Sequence, residues 1–295
     1  FRDFFRTVKA HFHTRVLGIS ENNSLSFKDG QISKIEKNIS EASIKYVSEK
    51  FNFIYDRYIK ESGARAFFII VPDKNYYFSK KYETPSLDYE KLFLTLENSF
   101  PYCEYIDITR SLSLDDYYKT DTHLRQERLL RVQNEIDASM GTRLRGKKYD
   151  IVHTGDFLGV LAGQSAMITK SEPMYVLEND VISSFSVYDY ELGEYIQVYD
   201  AENTEKDGYG IFLGGTRALL KIENESAPND KTLIVFRDSF GSVLSPLLSQ
   251  EYKETYVVDI RYISSDILWN YLDFENSDVL FVYSTLVLNN GFSLK

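Results

Sequence analysis

TLIVFRDSFGSVLSPLL, residues 232–248, runs from an apolar stretch (Leu233 to Phe236) through a polar turn, Arg237-Asp238-Ser239-Phe240-Gly241, into a second apolar stretch. So short an apolar run, flanked by polar residues, describes a strand buried on both faces, as in a parallel sheet. The residues after the turn repeat with helical spacing. Strand, tight turn and helix put Ser239 at the carboxyl end of a sheet strand, beside a helix N-terminus. Backbone N–H groups there can stabilise an oxyanion, and open α/β sheets bind their ligands along that edge. Asp238 and Ser239 are also favoured helix caps, so the turn alone admits a purely structural reading.

The same texture extends upstream and downstream. Ile44, Val47, Phe51, Ile54 and Tyr58 repeat at three and four within residues 40–61, which predicts a helix ending at Ser62-Gly63. ARAFFIIV, ending at Val71 between Gly63 and Pro72, predicts a buried strand. Helices are expected at 85–99 and 126–140, and strands at 102–108, 232–236, 255–260 and 278–283. Between about 141 and 228 Gly, Tyr, Val and Ser dominate. Residues 184–190 and 195–199 alternate, and no helical period is clear until Thr216 to Ile222. The expected fold is therefore α/β, a mostly parallel sheet flanked by helices, with a strand-rich insertion. Before it, residues 1–18 carry an amphipathic helical spacing, and Asp29-Gly30 marks a hairpin within 24–32. The expected division is an N-terminal, largely helical segment, 1–62, packed on an α/β domain, 63–295.

Composition narrows the function. Lys and Arg number 34 against 44 Asp and Glu, a net charge of −10 with no basic block, which argues against nucleic-acid binding. The single Cys103 excludes an internal disulfide and a Cys-rich zinc site. No run approaches the ~18 apolar residues that span a bilayer. The chain opens at Phe1 without Met, and an N-terminal anchor or signal ahead of it is expected. The 23 Tyr and 20 Phe, against one Trp, either line a groove suited to sugars or fill strands in a chain from an AT-rich genome.

A serine nucleophile needs a base, usually a His held by a carboxylate. The chain has four His. His11 and His13, two apart in the N-terminal segment, read as solvent-facing, and His153 reads as a loop residue opening the insertion. His123 closes YYKTDTH, residues 117–123. In an extended loop residues two apart point to one side, so Asp121 can orient the His123 imidazole. A solvated loop fits the same spacing. So does a pair of metal ligands, although no further His or Cys cluster joins them.

YYKTDTH, followed by Arg237-Asp238-Ser239-Phe240-Gly241 and then by Val258-Asp259-Ile260-Arg261-Tyr262, resembles the alginate O-acetyltransferase-like SGNH proteins, in particular the Gram-positive DHHW branch. Val71-Pro72-Asp73-Lys74 and YGIFLGGT, residues 209–216, are similar to further segments of that family, and the ordered likeness spans about 63 to 285. The resemblance implies an SGNH-hydrolase-like sheet in which Asp and His precede Ser, the reverse of the usual order. It implies a cofactor-free and metal-free enzyme outside the membrane that moves or removes acetyl groups on a polysaccharide. A membrane-bound O-acyltransferase would be its partner. Carried over by position, Ser239 is the nucleophile, His123 the base and Asp121 its orienter. Arg261 would lie close to the substrate or oxyanion, Gly215 would offer an oxyanion N–H, and Tyr118 and Thr216 would touch substrate or oxyanion.

Alternatives stand beside several of these roles. Arg261 also fits a structural ion pair with Asp259 or Asp238. Lys74 fits a solvated loop, and Tyr117 and Tyr118 fit packing beneath their loop. Thr122 and Leu124 stand where the family name expects His and Trp, and Thr216 stands where relatives are expected to carry Asn. These departures suit a second class, a non-catalytic carbohydrate-binding or exopolysaccharide-assembly protein. A lipase or peptidase would share the chemistry, but the chain lacks a Gly-x-Ser-x-Gly elbow.

Overall fold

The computed structural model describes residues 21–22, 24–166, 169–201 and 208–295; the expected helix at 1–18, with His11 and His13, lies outside them. The apolar runs form the strands. In chain order these are β1 (Glu21–Asn22), β2 (Leu25–Lys28), β3 (Gln31–Lys34), β4 (Arg65–Val71), β5 (Glu104–Tyr105), β6 (Asp150–Phe157) and β7 (Glu172–Glu178). There follow β8 (Ser186–Asp189), β9 (Glu194–Ile196), β10 (Leu219–Glu223), β11 (Thr232–Arg237), β12 (Glu254–Val258) and β13 (Ser277–Ser284). Eight of them make one sheet in the order β5-β4-β13-β11-β12-β10-β8-β9. β5, β4, β13, β11 and β12 run parallel, while β10, β8 and β9 join antiparallel.

Alternation along the central strands divides the core between two faces. Phe67, Ile69, Val71, Val235 and Val282 pack against helix Ser239–Leu248, whose Val243, Leu244 and Leu248 are buried with them. Phe68, Ile70, Phe236, Phe281 and Tyr283 pack on the other face against helix Glu41–Ile54. Phe51 on that helix meets the rings of Phe68, Phe100, Phe281 and Tyr283, which anchors the helix to the sheet. Asp29 and Gly30, both at positive φ, close the expected hairpin between β2 and β3, the left-handed pair that a two-residue turn requires.

The insertion is strand-rich and antiparallel, as expected. Its β10, β8 and β9 extend the core sheet, and β6 and β7 pair as a separate two-stranded sheet. Residues 216–222 carried the only hint of helix there, yet 219–223 is strand β10, paired on both sides by β12 and β8. Two flanking partners outweigh a weak local period. His153 lies on β6 rather than in a loop, with its ring 5.4 Å from that of Tyr175. At 102–108 only Glu104 and Tyr105 form a strand, because β5 is an edge with β4 as its one neighbour. Helix Lys74–Tyr82 was not expected, and the helix expected from 85 begins at Tyr89, capped by Asp88. No helix among the described residues is long and apolar enough to cross a membrane.

Candidate active site

Ser239 is the first residue of helix Ser239–Leu248, immediately past β11 at the carboxyl edge of the sheet. Asp238 is the cap, and its Oδ1 accepts from Phe240 N at 2.9 Å. Its other oxygen accepts from the backbone N–H and hydroxyl of Ser284, at 2.8 and 2.7 Å, which ties the turn to the end of β13. Burial pushes the Asp238 carboxyl up, opposed by the Arg261 charge and these hydrogen bonds. Asp238 thus fixes the turn, while the neighbouring Ser239 hydroxyl is left half-buried at the edge. Among the described residues no acceptor takes the Ser239 N–H.

The loop 117–124 brings the second part. Tyr117 and Leu124 bridge across its base, and Tyr118 N donates to His123 O at 3.1 Å. Within it His123 N donates to Asp121 Oδ1 at 3.0 Å, an Asx-type turn that faces the carboxylate toward its own histidine. The two residues therefore meet through a tight turn rather than an extended loop. His123 Nδ1 lies 2.6 Å from Asp121 Oδ1, and His123 Nε2 lies 2.8 Å from Ser239 Oγ. Ser239, His123 and Asp121 form one hydrogen-bonded chain across 118 residues of sequence (239 − 121).

Each member is further constrained. The other Asp121 oxygen accepts from Val160 N at 2.8 Å, and Thr120 Oγ1 accepts from Gly159 N at 3.0 Å. Burial is the largest influence on the Asp121 carboxyl and acts to raise it. The facing His123 charge, together with the hydrogen bonds from His123 and Val160, outweighs burial and holds the carboxyl below its ordinary range. The Tyr209 ring stacks on the imidazole, centroids 4.0 Å apart and 13° from parallel, and its hydroxyl donates to Leu124 O. Phe240 flanks the imidazole at 5.2 Å. The imidazole is thereby held in one plane with 14% of the side chain exposed, while Asp121 is fully buried.

Other expected contacts fall elsewhere. Tyr118 is fully buried against Phe157 beneath the loop, so it cannot line a substrate groove. The Gly215 N–H is already donated to Phe212 O at 3.0 Å, which removes it as an oxyanion donor in this conformation. Leu213, Gly214 and Gly215 all have positive φ, and the turn spends that N–H internally. Thr216 is exposed, and among the described residues neither its side chain nor its backbone bonds to Ser239, His123 or Asp121. Arg261 forks onto Asp259 at 2.8 and 2.6 Å, the ion-pair alternative, although its charge still acts on buried Asp238. Lys74 is buried, not solvated.

Gly159, Val160, Tyr209 and Lys74 carry positioning contacts that sequence reading did not assign. Among the described residues no cluster of three or more His, Cys, Asp or Glu could hold a metal ion.

No family model and no curated protein matches the chain. Solved structures do. A DHHW family protein from Eubacterium siraeum matches with a TM-score of 0.69 at 18% identity, covering 91% of this chain and 93% of that one. Bacillus cereus PatB1 with a sulfonyl adduct gives 0.68 at 20% identity, over 90% and 95% of the two chains. The O-acetyltransferase domain of Pseudomonas putida AlgJ gives 0.50 at 10% identity, over 90% and 92%. The chain shares the α/β fold of these proteins, a large sheet flanked by helices.

Proposed function

We propose that this chain is an extracellular, serine-dependent O-acetyltransferase or O-acetylesterase acting on a polysaccharide, with Ser239 as nucleophile, His123 as general base and Asp121 as the group that orients it. The observation that carries this reading is the unbroken series of contacts, 2.6 Å from Asp121 to His123 and 2.8 Å from His123 to Ser239. Asp121 accepts from Nδ1–H, which leaves the Nε2 lone pair toward the Ser239 hydroxyl. His123 takes the hydroxyl proton as Ser239 Oγ attacks an acetyl ester carbonyl. The tetrahedral intermediate collapses with loss of the donor alcohol, which takes the proton back from His123. A sugar hydroxyl or water, deprotonated by the same imidazole, then releases the acetyl group from Ser239.

The Ser239 N–H, at the helix N-terminus, is the first oxyanion donor, a contribution of about 3 kcal/mol. Arg261, forked onto Asp259, places a charge that opposes the effect of burial on the Asp238 carboxyl. The acetyl group would come from a membrane-bound O-acyltransferase. The alternative of a non-catalytic carbohydrate-binding protein is disfavoured by a serine, histidine and carboxylate held within hydrogen-bond distance of one another. One fold neighbour carries a sulfonyl adduct, so a sulfonyl fluoride is a suitable reagent here.

The test is turnover of an aryl acetate, with and without oligosaccharide acceptors. Turnover abolished in Ser239→Ala and His123→Ala supports the enzyme, and equal rates in wild type and both variants would sink it. Transfer to an oligosaccharide at the expense of acetate release distinguishes transferase from esterase.

A further inference from the structure

Lys74 begins the helix Lys74–Tyr82, one residue after the Asp73 cap, and its side chain is 1% exposed. A lysine so deeply buried ordinarily faces a carboxylate, yet among the described residues none lies within salt-bridge distance of it. Its Nζ instead donates to Ile32 O at 2.7 Å, Tyr118 O at 2.7 Å and Lys119 O at 2.8 Å, with Asp121 O further off at 3.4 Å. The three short bonds use all three N–H groups of an ammonium. Burial pulls the ammonium down to about 7, opposed by the Glu172 and Asp121 charges.

Those carbonyls are informative by their origin. One belongs to β3, and three belong to the loop that ends in Asp121 and His123. Carbonyls of residues 118, 119 and 121 converge on the ammonium; without it Tyr118 O would keep only the long 3.4 Å bond from Asp121 N, and Lys119 O only the bond from β3. Ile32 N also donates to Lys119 O at 2.7 Å, so β3 and the ammonium grip the same peptide. Among the described residues the ammonium donates to backbone carbonyls and to neither Ser239 nor the His123 imidazole.

We propose that Lys74 is a positioning residue for acyl transfer, its ammonium fastening the carbonyls of the 118–121 loop to β3 so that Asp121 and His123 stand in register with Ser239. The inference rests on the triad reading above. Removing the clamp frees the loop to turn its carbonyls toward water. A displacement of about 1 Å at the imidazole costs on the order of 10²-fold in rate, and the loss falls on kcat because the ammonium does not reach the substrate.

The experiment compares wild type, Lys74→Gln and Lys74→Met in steady-state hydrolysis of an aryl acetate, with the folded fraction of each measured at the assay temperature by circular dichroism melting. Gln retains two donors and Met none. The expected result is a kcat order of wild type, then Gln, then Met, with Met down on the order of 10²-fold, KM unchanged and both variants folded. A folded Lys74→Met with kcat within about twofold of wild type overturns the inference, as does a loss confined to KM. If neither variant folds, the ammonium is a general determinant of the fold and the positioning role is likewise overturned. Wild-type enzyme without Ser239-dependent turnover would instead sink the triad reading, which separates the two failures.

Discussion

Gly159→Ala gives the sharpest prediction, because a single methyl group would be driven into the support of the site. An ideal Cβ at Gly159 falls 2.4 Å from Asp121 Cβ and 2.4 Å from Thr120 O. Carbon atoms pack at about 3.5 Å or more, so the loop must retreat by about 1 Å. Two of the atoms met belong to the Thr120 peptide, and neither they nor the Asp121 Cβ can swing aside like the end of a flexible side chain. Retreat stretches the 2.8 Å bond from Val160 N to Asp121 and moves the carboxylate that holds His123. A misplacement of that size costs on the order of 10²-fold in kcat. The overpacking itself costs about 1–3 kcal/mol, a fall of several degrees in Tm. Aryl acetate hydrolysis gives kcat, and a calorimetric melt gives the stability change. A Gly159→Ala enzyme with wild-type kcat and Tm would refute the account of how Asp121 is held.

Asp121→Asn keeps the shape of the carboxylate but favours the wrong imidazole tautomer, and should lower kcat about 10⁴-fold with little change in KM. The same pair gives a pH test: the Asp121 carboxyl lies below its ordinary range in the fold, so its stabilisation is present above the unfolded value and is lost as pH falls through the folded one. The urea midpoint of wild type should exceed that of Asp121→Asn near pH 5, and the gap should close as pH falls below about pH 4; a gap unchanged between about pH 5 and about pH 3 contradicts the assignment. Burial pushes the Cys103 thiol up to about 12, so native protein should alkylate slowly at pH 8 and rapidly once unfolded. Equal rates would show that the thiol is not buried as described.

The architecture was legible where one face or both faces of an element are apolar. Arg65–Val71 and Thr232–Arg237 lie where continuous apolar runs placed them, because strands buried on both faces leave that trace in sequence. Helix Lys74–Tyr82 leaves none, since its buried residues include Lys74, Asn75 and Ser79 alongside Phe78. Strand β10 was obscured by its shortness, for which helical and strand periods cannot be told apart. The contact between Asp121 and His123 was legible because it is local, and the placing of Ser239 because its turn has a strand before it and a helix after it. Val160 reaches Asp121, and Gly159 reaches Thr120, from 39 residues away, and Lys74 reaches the loop from 44 at Tyr118. Such contacts are settled by tertiary packing and have no local signature. Tyr118 and Gly215 were misassigned for the complementary reason: residue type suggested a contact, while burial of one and the internal hydrogen bond of the other had already used it.

The central claim is that Ser239 carries the acetyl group. Intact-mass measurement of the enzyme quenched during aryl acetate turnover, followed by peptide mapping, tests it most directly. The account predicts one acetyl group, on the peptide containing Ser239, absent from Ser239→Ala and accumulating far more slowly in His123→Ala. An acetyl group on another residue, or sustained turnover with Ser239 never modified, would contradict it.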